Sequence, residues 1–350
     1  MSRWRTLWPF VLAYVVLTWL VADHPFFWDT VQLASKHAHW FYEQSFSTIL
    51  LPDSIDSGHP PLFGIYLAFC WFLFGKTLLV SHFSMLPFLL GSLSFLYQLG
   101  IYFGQKENVT FLLLLGTLDP FVAGQSVLVS PDLVLLFAFL WMLTAILKEQ
   151  KWAILLASLL LGLISMRGMM LCLALYGWWL TLPYFTCKKQ FSVPQFLKDS
   201  SNKVVPFLPA GLLALAFLLY HYFEKGWVGY HPDSPWSGSF EQVNILGVLE
   251  NIGILGWRLL DYGRLFLWMG LLFLLVKRFW KKIEVNQKSK YHLLENFWQL
   301  PSLILWLCLF LLPSLLLHKG LMNHRYLLPI TVSLSLFFYQ LWCQASWKKS

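Results

Sequence analysis

Two short stretches of this chain carry side chains of the kinds that move protons and bind anions. The first is Phe27-Trp28-Asp29-Thr30, just past the opening apolar run, and it leads into a polar, aromatic-rich stretch that continues to Glu43. The second is Gly58-His59-Pro60-Pro61, a turn that opens the next apolar run. Farther along stand Ser130-Pro131-Asp132, an arginine inside an otherwise apolar region (Ile164-Ser165-Met166-Arg167-Gly168), and His324-Arg325-Tyr326 before the last apolar run. A carboxylate can take the proton of an attacking hydroxyl. A guanidinium fork binds phosphate through paired N–H donors. Together these types suit a substrate with an anionic head group and a lipid tail.

Each residue also has a plainer reading. Asp29 stands where a helix N-cap would, before Thr30-Val31-Gln32-Leu33. Asp132 follows Ser-Pro, a common helix entry, and Asp119-Pro120 reads as a turn that ends a span. Arg167 lies at membrane depth, where an ionisable group is costly and by default functional; the alternative is snorkelling to the interface. Arg325 has the same two readings. Arg264 joins the candidate substrate-binding residues, although Arg258 and Arg264 flank Asp261 closely enough to form a local ion pair.

These residues must be positioned by membrane helices. The 350 residues are 58% hydrophobic and only 12% charged, about half the charge of an average soluble domain. Several apolar runs approach the roughly 20 residues that cross a bilayer, and the abundant Trp and Tyr suit interfacial anchoring. The chain therefore reads as an all-α, polytopic membrane protein forming one domain over residues 1–350, with no separate soluble part. The first run, Leu7 to Val21, lacks a small-residue cleavage site after it and reads as a retained helix. Five scattered cysteines form no CxxC pair, so neither a disulfide frame nor a thiolate metal site is expected. The formal charge of +8 sits in short loops, which points to topology and anionic lipid head groups and not to nucleic acid.

Eleven apolar runs can be counted. If all eleven span, the basic segments Cys187-Lys188-Lys189 and Lys277 to Lys282 fall outside, against the positive-inside rule. Removing the proline-led run 60–75 as a full span repairs this and places both termini inside. The expectation is ten spans, a first outside segment over residues 23–79 that lies on or dips into the membrane, and a second over 223–260. Every histidine but His292 then falls outside, with most of the acids. The outer face is where titratable chemistry can be built.

With that topology the chain resembles the GT-C superfamily of membrane glycosyltransferases, in the branch of bacterial aminoarabinose transferase and protein O-mannosyltransferases. Trp28-Asp29-Thr30 holds the place of that family's first-loop acid, and Gly58-His59-Pro60-Pro61-Leu62 matches its juxtamembrane motif. Ser130-Pro131-Asp132-Leu133 resembles the second-loop acid, Gly162 to Gly168 the Gly-Leu…Lys-Gly pattern with Arg167 for Lys, and Arg325-Tyr326-Leu327-Leu328-Pro329 the motif near the last spans. Thr30 departs from the frequent second acid, so a two-carboxylate site within the first loop is not expected.

The resemblance implies an inverting transferase that moves a sugar from a polyprenyl-phosphate donor to a hydroxyl of a lipid, glycan or protein on the outer face of the membrane; short loops and few cysteines point to a bacterial inner membrane. Asp29 would be the general base. Asp132 would position substrate or share a divalent metal ion. Arg167 and Arg325 would stabilise the departing lipid phosphate, and His59 would orient Asp29 or end its loop. The alternatives are a lipid-linked-sugar flippase and an inactive subunit of an envelope complex.

Overall fold

The computed structural model describes residues 3–186, 190–229, 231, 237–281 and 297–346. Cys187 to Lys189, most of the His231 to Trp236 segment, Lys282 and the basic C-terminus lie outside these. Among the described residues the protein is helical throughout, with no β-strand and one isolated bridge between Gln242 and His318.

Five helices among the described residues are long and apolar enough to cross a membrane: Leu78–Phe103, Met166–Phe185, Val193–Lys225, Gln299–Leu316 and His324–Ala345. Two sharply bent pairs, Lys106–Thr117 with Pro120–Ser126 and Ile245–Leu260 with Arg264–Arg278, raise the number to seven if each is one span. Three of the ten expected spans are not among these: Arg3–Leu20, which has the length at 18 residues but carries two arginines in its first turn, and two shorter apolar helices. Pro131–Leu147 has 17 residues and Lys151–Ile164 has 14, so at 1.5 Å per residue they measure roughly 26 and 21 Å. The proline-led run expected to fall short of a span forms the 13-residue helix Leu62–Phe74. The run near 109–122 breaks by 72° before Pro120, where proline cannot continue the hydrogen-bond ladder.

The helices pack around Pro131–Leu147, which is buried over nearly all its length. Small residues allow close approach: a Cβ at Gly100 would press on Leu112 and Val109, and one at Gly104 would enter the Tyr339 ring. These contacts explain the Gly100/Gly104 pair as a packing device. The two ends of the bundle differ. At one, Arg3 donates to Ser94 (2.6 Å), Lys148 reaches Gln98, and the Tyr339 hydroxyl donates to the Gln105 carbonyl (2.9 Å). The other gathers Asp29, Asp132, Arg167 and Arg325.

A buried charge cluster anchors the segment before His59 to the end of Leu208–Lys225. Asp56 Oδ2 accepts from Lys225 Nζ (2.7 Å) and lies 3.1 Å from His221 Nε2, while its Oδ1 accepts from the Gly58 N–H (2.8 Å). Lys225 also reaches Asp53 and the Leu51 carbonyl. Gly58 has φ +69°, and any Cβ there would collide with the Gly229 carbonyl. Glycine is required for both conformation and space.

Removing one partner of a buried ion pair leaves the other charge unpaired, typically at about 3–5 kcal/mol. Asp56→Ala is therefore expected to lower the melting temperature in detergent clearly and to expose residues 51–59 to protease, read by limited proteolysis.

Candidate active site

Asp29 enters on an unusual piece of backbone. Trp28 has φ +49°, in the left-handed region that a tryptophan rarely adopts. Thr30 ties the turn by donating its hydroxyl to the Phe27 carbonyl and accepting from the Phe27 N–H, both at 2.8 Å. A π-helical turn, Val31–Lys36, then leads into His37–Glu43. Strained residues and π-turns both concentrate at functional sites. No backbone N–H among the described residues is bonded to the Asp29 carboxylate, so the helix-cap reading does not apply. Instead Oδ2 pairs with Arg325, and Oδ1 is buried without a partner.

Asp132 is not the cap of its helix either. Ser130 takes that task, its Oγ accepting from the Asp132 N–H at 3.2 Å. The carboxylate is left for two arginines: Oδ1 accepts from Arg167 Nη1 (2.9 Å) and Oδ2 lies 3.6 Å from Arg325 Nη1. Arg325 therefore bridges Asp29 and Asp132. Tyr326 supports both guanidinium groups, with Arg167 stacked 3.6 Å over its ring and its hydroxyl accepting from Arg325 Nη2 at 2.8 Å. Arg167 is thus fixed by partners and is not simply snorkelling. The second carboxylate that Thr30 does not supply arrives from a different part of the chain.

Above this cluster lies a cavity of about 190 Å³ whose wall includes Trp28, Asp29, Ser57, His59, Arg167 and Arg325. Beneath it a small crevice is lined by leucines, Leu135, Leu136, Leu171 and Leu311 among them, and shares Arg167, Arg325 and Tyr326 with the cavity. Ser57 Oγ and His59 Nδ1 are buried without partners. Burial, with the Arg167 charge nearby, pushes the His59 imidazole down to about 4, so it is neutral at physiological pH. His59 lines the cavity and makes no hydrogen bond to Asp29.

Arg264 is placed elsewhere. It binds Asp119 in a fork (Nε 3.2 Å, Nη2 2.8 Å to Oδ2) and does not pair with Asp261. Asp119 is more than a turn: it caps Pro120–Ser126 through the Phe121 N–H and holds Arg264 over the Phe121 ring. Asp261 takes His324 Nε2 (2.6 Å), with Arg258 at 3.7 Å. His324, stacked on Phe121, directly precedes Arg325. Arg264 thus belongs to the scaffold behind the site.

The donor set does not fit a metal ion. Asp132 faces two cations, and among the described residues no group of three or more His, Cys, Asp or Glu gathers to hold one. Sequence reasoning singled out Asp29, His59, Asp132, Arg167 and Arg325, which the fold brings together. It missed Ser57 and Tyr326 as site residues, although both lie inside or beside the motifs it used, and it missed the anchoring role of Asp56.

No protein-family model matches this chain, and no curated protein matches it. Among solved structures, the crystal structure of ArnT from Cupriavidus metallidurans bound to undecaprenyl phosphate is similar, with a TM-score of 0.60 at 11% identity. The match covers 97% of this chain and 60% of that one. The chain spans about three-fifths of the length of that protein, and the likeness is one of fold.

Two neutral histidines give the segment before Leu62 a pH signature. Burial also pushes His37 down to about 4, while its Nε2 meets the Ile55 carbonyl at 2.9 Å. The unfolded chain takes up protons from about pH 6.5 and the folded imidazoles only near 4, so this stability is full above 6.5 and lost on acidification. The melting temperature is expected to fall between pH 7 and pH 5, and more steeply in wild type than in His37→Gln.

Proposed function

We propose that this protein is a membrane glycosyltransferase that moves a sugar from a polyprenyl-phosphate donor to an acceptor hydroxyl, with inversion, at the outer face of a bacterial inner membrane. One observation carries the reading: a carboxylate with one unpartnered oxygen stands in the same cavity as two arginines. The fold shared with a protein solved with undecaprenyl phosphate supports the choice of donor.

The chemistry follows from charge and position. The acceptor oxygen attacks the anomeric carbon as Asp29 Oδ1 takes its proton, and the bond from that carbon to the phosphate oxygen breaks. The donor is a phosphodiester with one negative charge, and the departing lipid monophosphate carries up to two. Arg167 and Arg325 therefore gain more attraction in the transition state than with bound donor, which is the condition for catalysis. Arg325, touching both Asp29 and the phosphate position, couples the base to the leaving group. Asp132 acts as a positioning residue that holds the two guanidinium groups in register. The leucine-lined crevice beneath the arginines provides an apolar edge for the first carbons of the lipid.

A flippase reading would leave the Asp29 oxygen without a task. Measured as transfer from a radiolabelled polyprenyl-phosphate sugar in nanodiscs, Asp29→Asn is expected to lower the rate roughly 10²–10⁴-fold. Full transfer by a folded Asp29→Asn protein would remove the base assignment. Arg167→Lys keeps the charge but loses the fork and the stacking on Tyr326; its rate is expected to fall roughly 10²-fold.

A further inference from the structure

The cavity holds more polar capacity than the proton transfer and the phosphate need. Ser57 Oγ and His59 Nδ1 are both buried, both unpartnered, and both on the wall that faces Asp29 and Arg167. Unpaired buried polar atoms are uncommon and each costs about 1–3 kcal/mol. Neither atom supports the backbone. The Asp56 cluster holds the Gly58 N–H, and Pro60 and Pro61 have no N–H to satisfy. Trp28 lines the same cavity with its ring largely exposed, held there by a strained φ.

We infer that the cavity reads a single, uncharged sugar on the lipid phosphate, with Ser57 and His59 hydrogen-bonding its hydroxyls and Trp28 stacking on its C–H face. The inference rests on the glycosyl-transfer reading and adds the class of sugar. Size suits a small occupant: a cavity of about 190 Å³ has room for one sugar ring against its polar wall.

Charge selects further. Asp29 presents an oxygen into the cavity, and the two arginines are shared between Asp29, Asp132 and the lipid phosphate. A sugar acid therefore adds a further negative charge beside Asp29, with no additional cation among the described residues lining the cavity to answer it. At the His59 end the sign reverses. Arg167 lines the same wall as His59 and repels an ammonium placed beside the imidazole. Two hydroxyl-matching atoms in a dry wall discriminate sharply, because a sugar that lacks the matching group leaves them unpaired.

The test is binding by the full chain in nanodiscs, using decaprenyl phosphate alone and decaprenyl phosphate carrying mannose, an amino sugar or a uronic acid. The mannose lipid is expected to bind more tightly than the bare phosphate lipid, the amino-sugar lipid or the uronic-acid lipid. Ser57→Ala and His59→Asn should each remove about three- to tenfold of the mannose advantage, while each variant's retained binding of bare decaprenyl phosphate reports that it is folded. Failure of wild type to bind decaprenyl phosphate would overturn the glycosyl-transfer reading itself. Binding of all the sugar lipids alike, or a mannose advantage untouched by both variants, would overturn this inference and leave that reading standing.

Discussion

The structure turns on the placement of Arg325 between two carboxylates. Asp29 comes from the first loop, Asp132 from the start of a central helix, and Arg325 from the entry to the last helix. No local interaction joins these three regions. A guanidinium in a partly dry site is tolerable only with anionic partners, and each carboxylate there is tolerable only with a cation. The site is therefore a mutual constraint. It fixes where the last helix begins, how the first loop lies, and how deep Arg167 sits, because Arg167 shares Asp132 and Tyr326 with Arg325.

Around this core the scaffold repeats one device, pairing a loop acid with a distant base. Asp56 joins His221 and Lys225, Asp119 joins Arg264, and Asp261 joins His324. Two of these brace the backbone beside Arg325, and the third braces the backbone beside His59. Apolar contacts alone would leave helix ends free to slide in a lipid environment, where side chains gain little by leaving one apolar neighbour for another. Charge pairs at the helix ends supply the register that the apolar surfaces do not.

Much of this was legible in the sequence. The helical class follows from composition, and the candidate residues follow from their rarity, since a charge inside an apolar run demands an explanation. The partner of Arg264 was out of reach, because sequence proximity to Asp261 says nothing about Asp119, which is 145 positions away. Asp29 and Asp132 looked like caps because capping is a local rule, and the fold assigns those tasks to other groups: Ser130 caps the one helix, and Thr30 ties the other turn. Apolar runs do not reveal where helices break or stop short, as the run near 109–122 does before Pro120 and Lys151–Ile164 does at 14 residues. Ser57 carried no signal, since a serine becomes notable only when its surroundings exclude water.

The π-helical turn between Asp29 and His37 has a consequence for how such a site is inherited. One residue corresponds to about 100° of rotation around a helix axis, and a π-turn accommodates one residue more per turn than the α-helical form. Shortening Val31–Lys36 by one residue would restore regular winding and swing Asp29 away from Arg325, with every side chain of the site unchanged in type. The aim of the carboxylate is thus written partly in chain length. Two descendants of this protein can share every site residue and still differ in chemistry through a single-codon deletion.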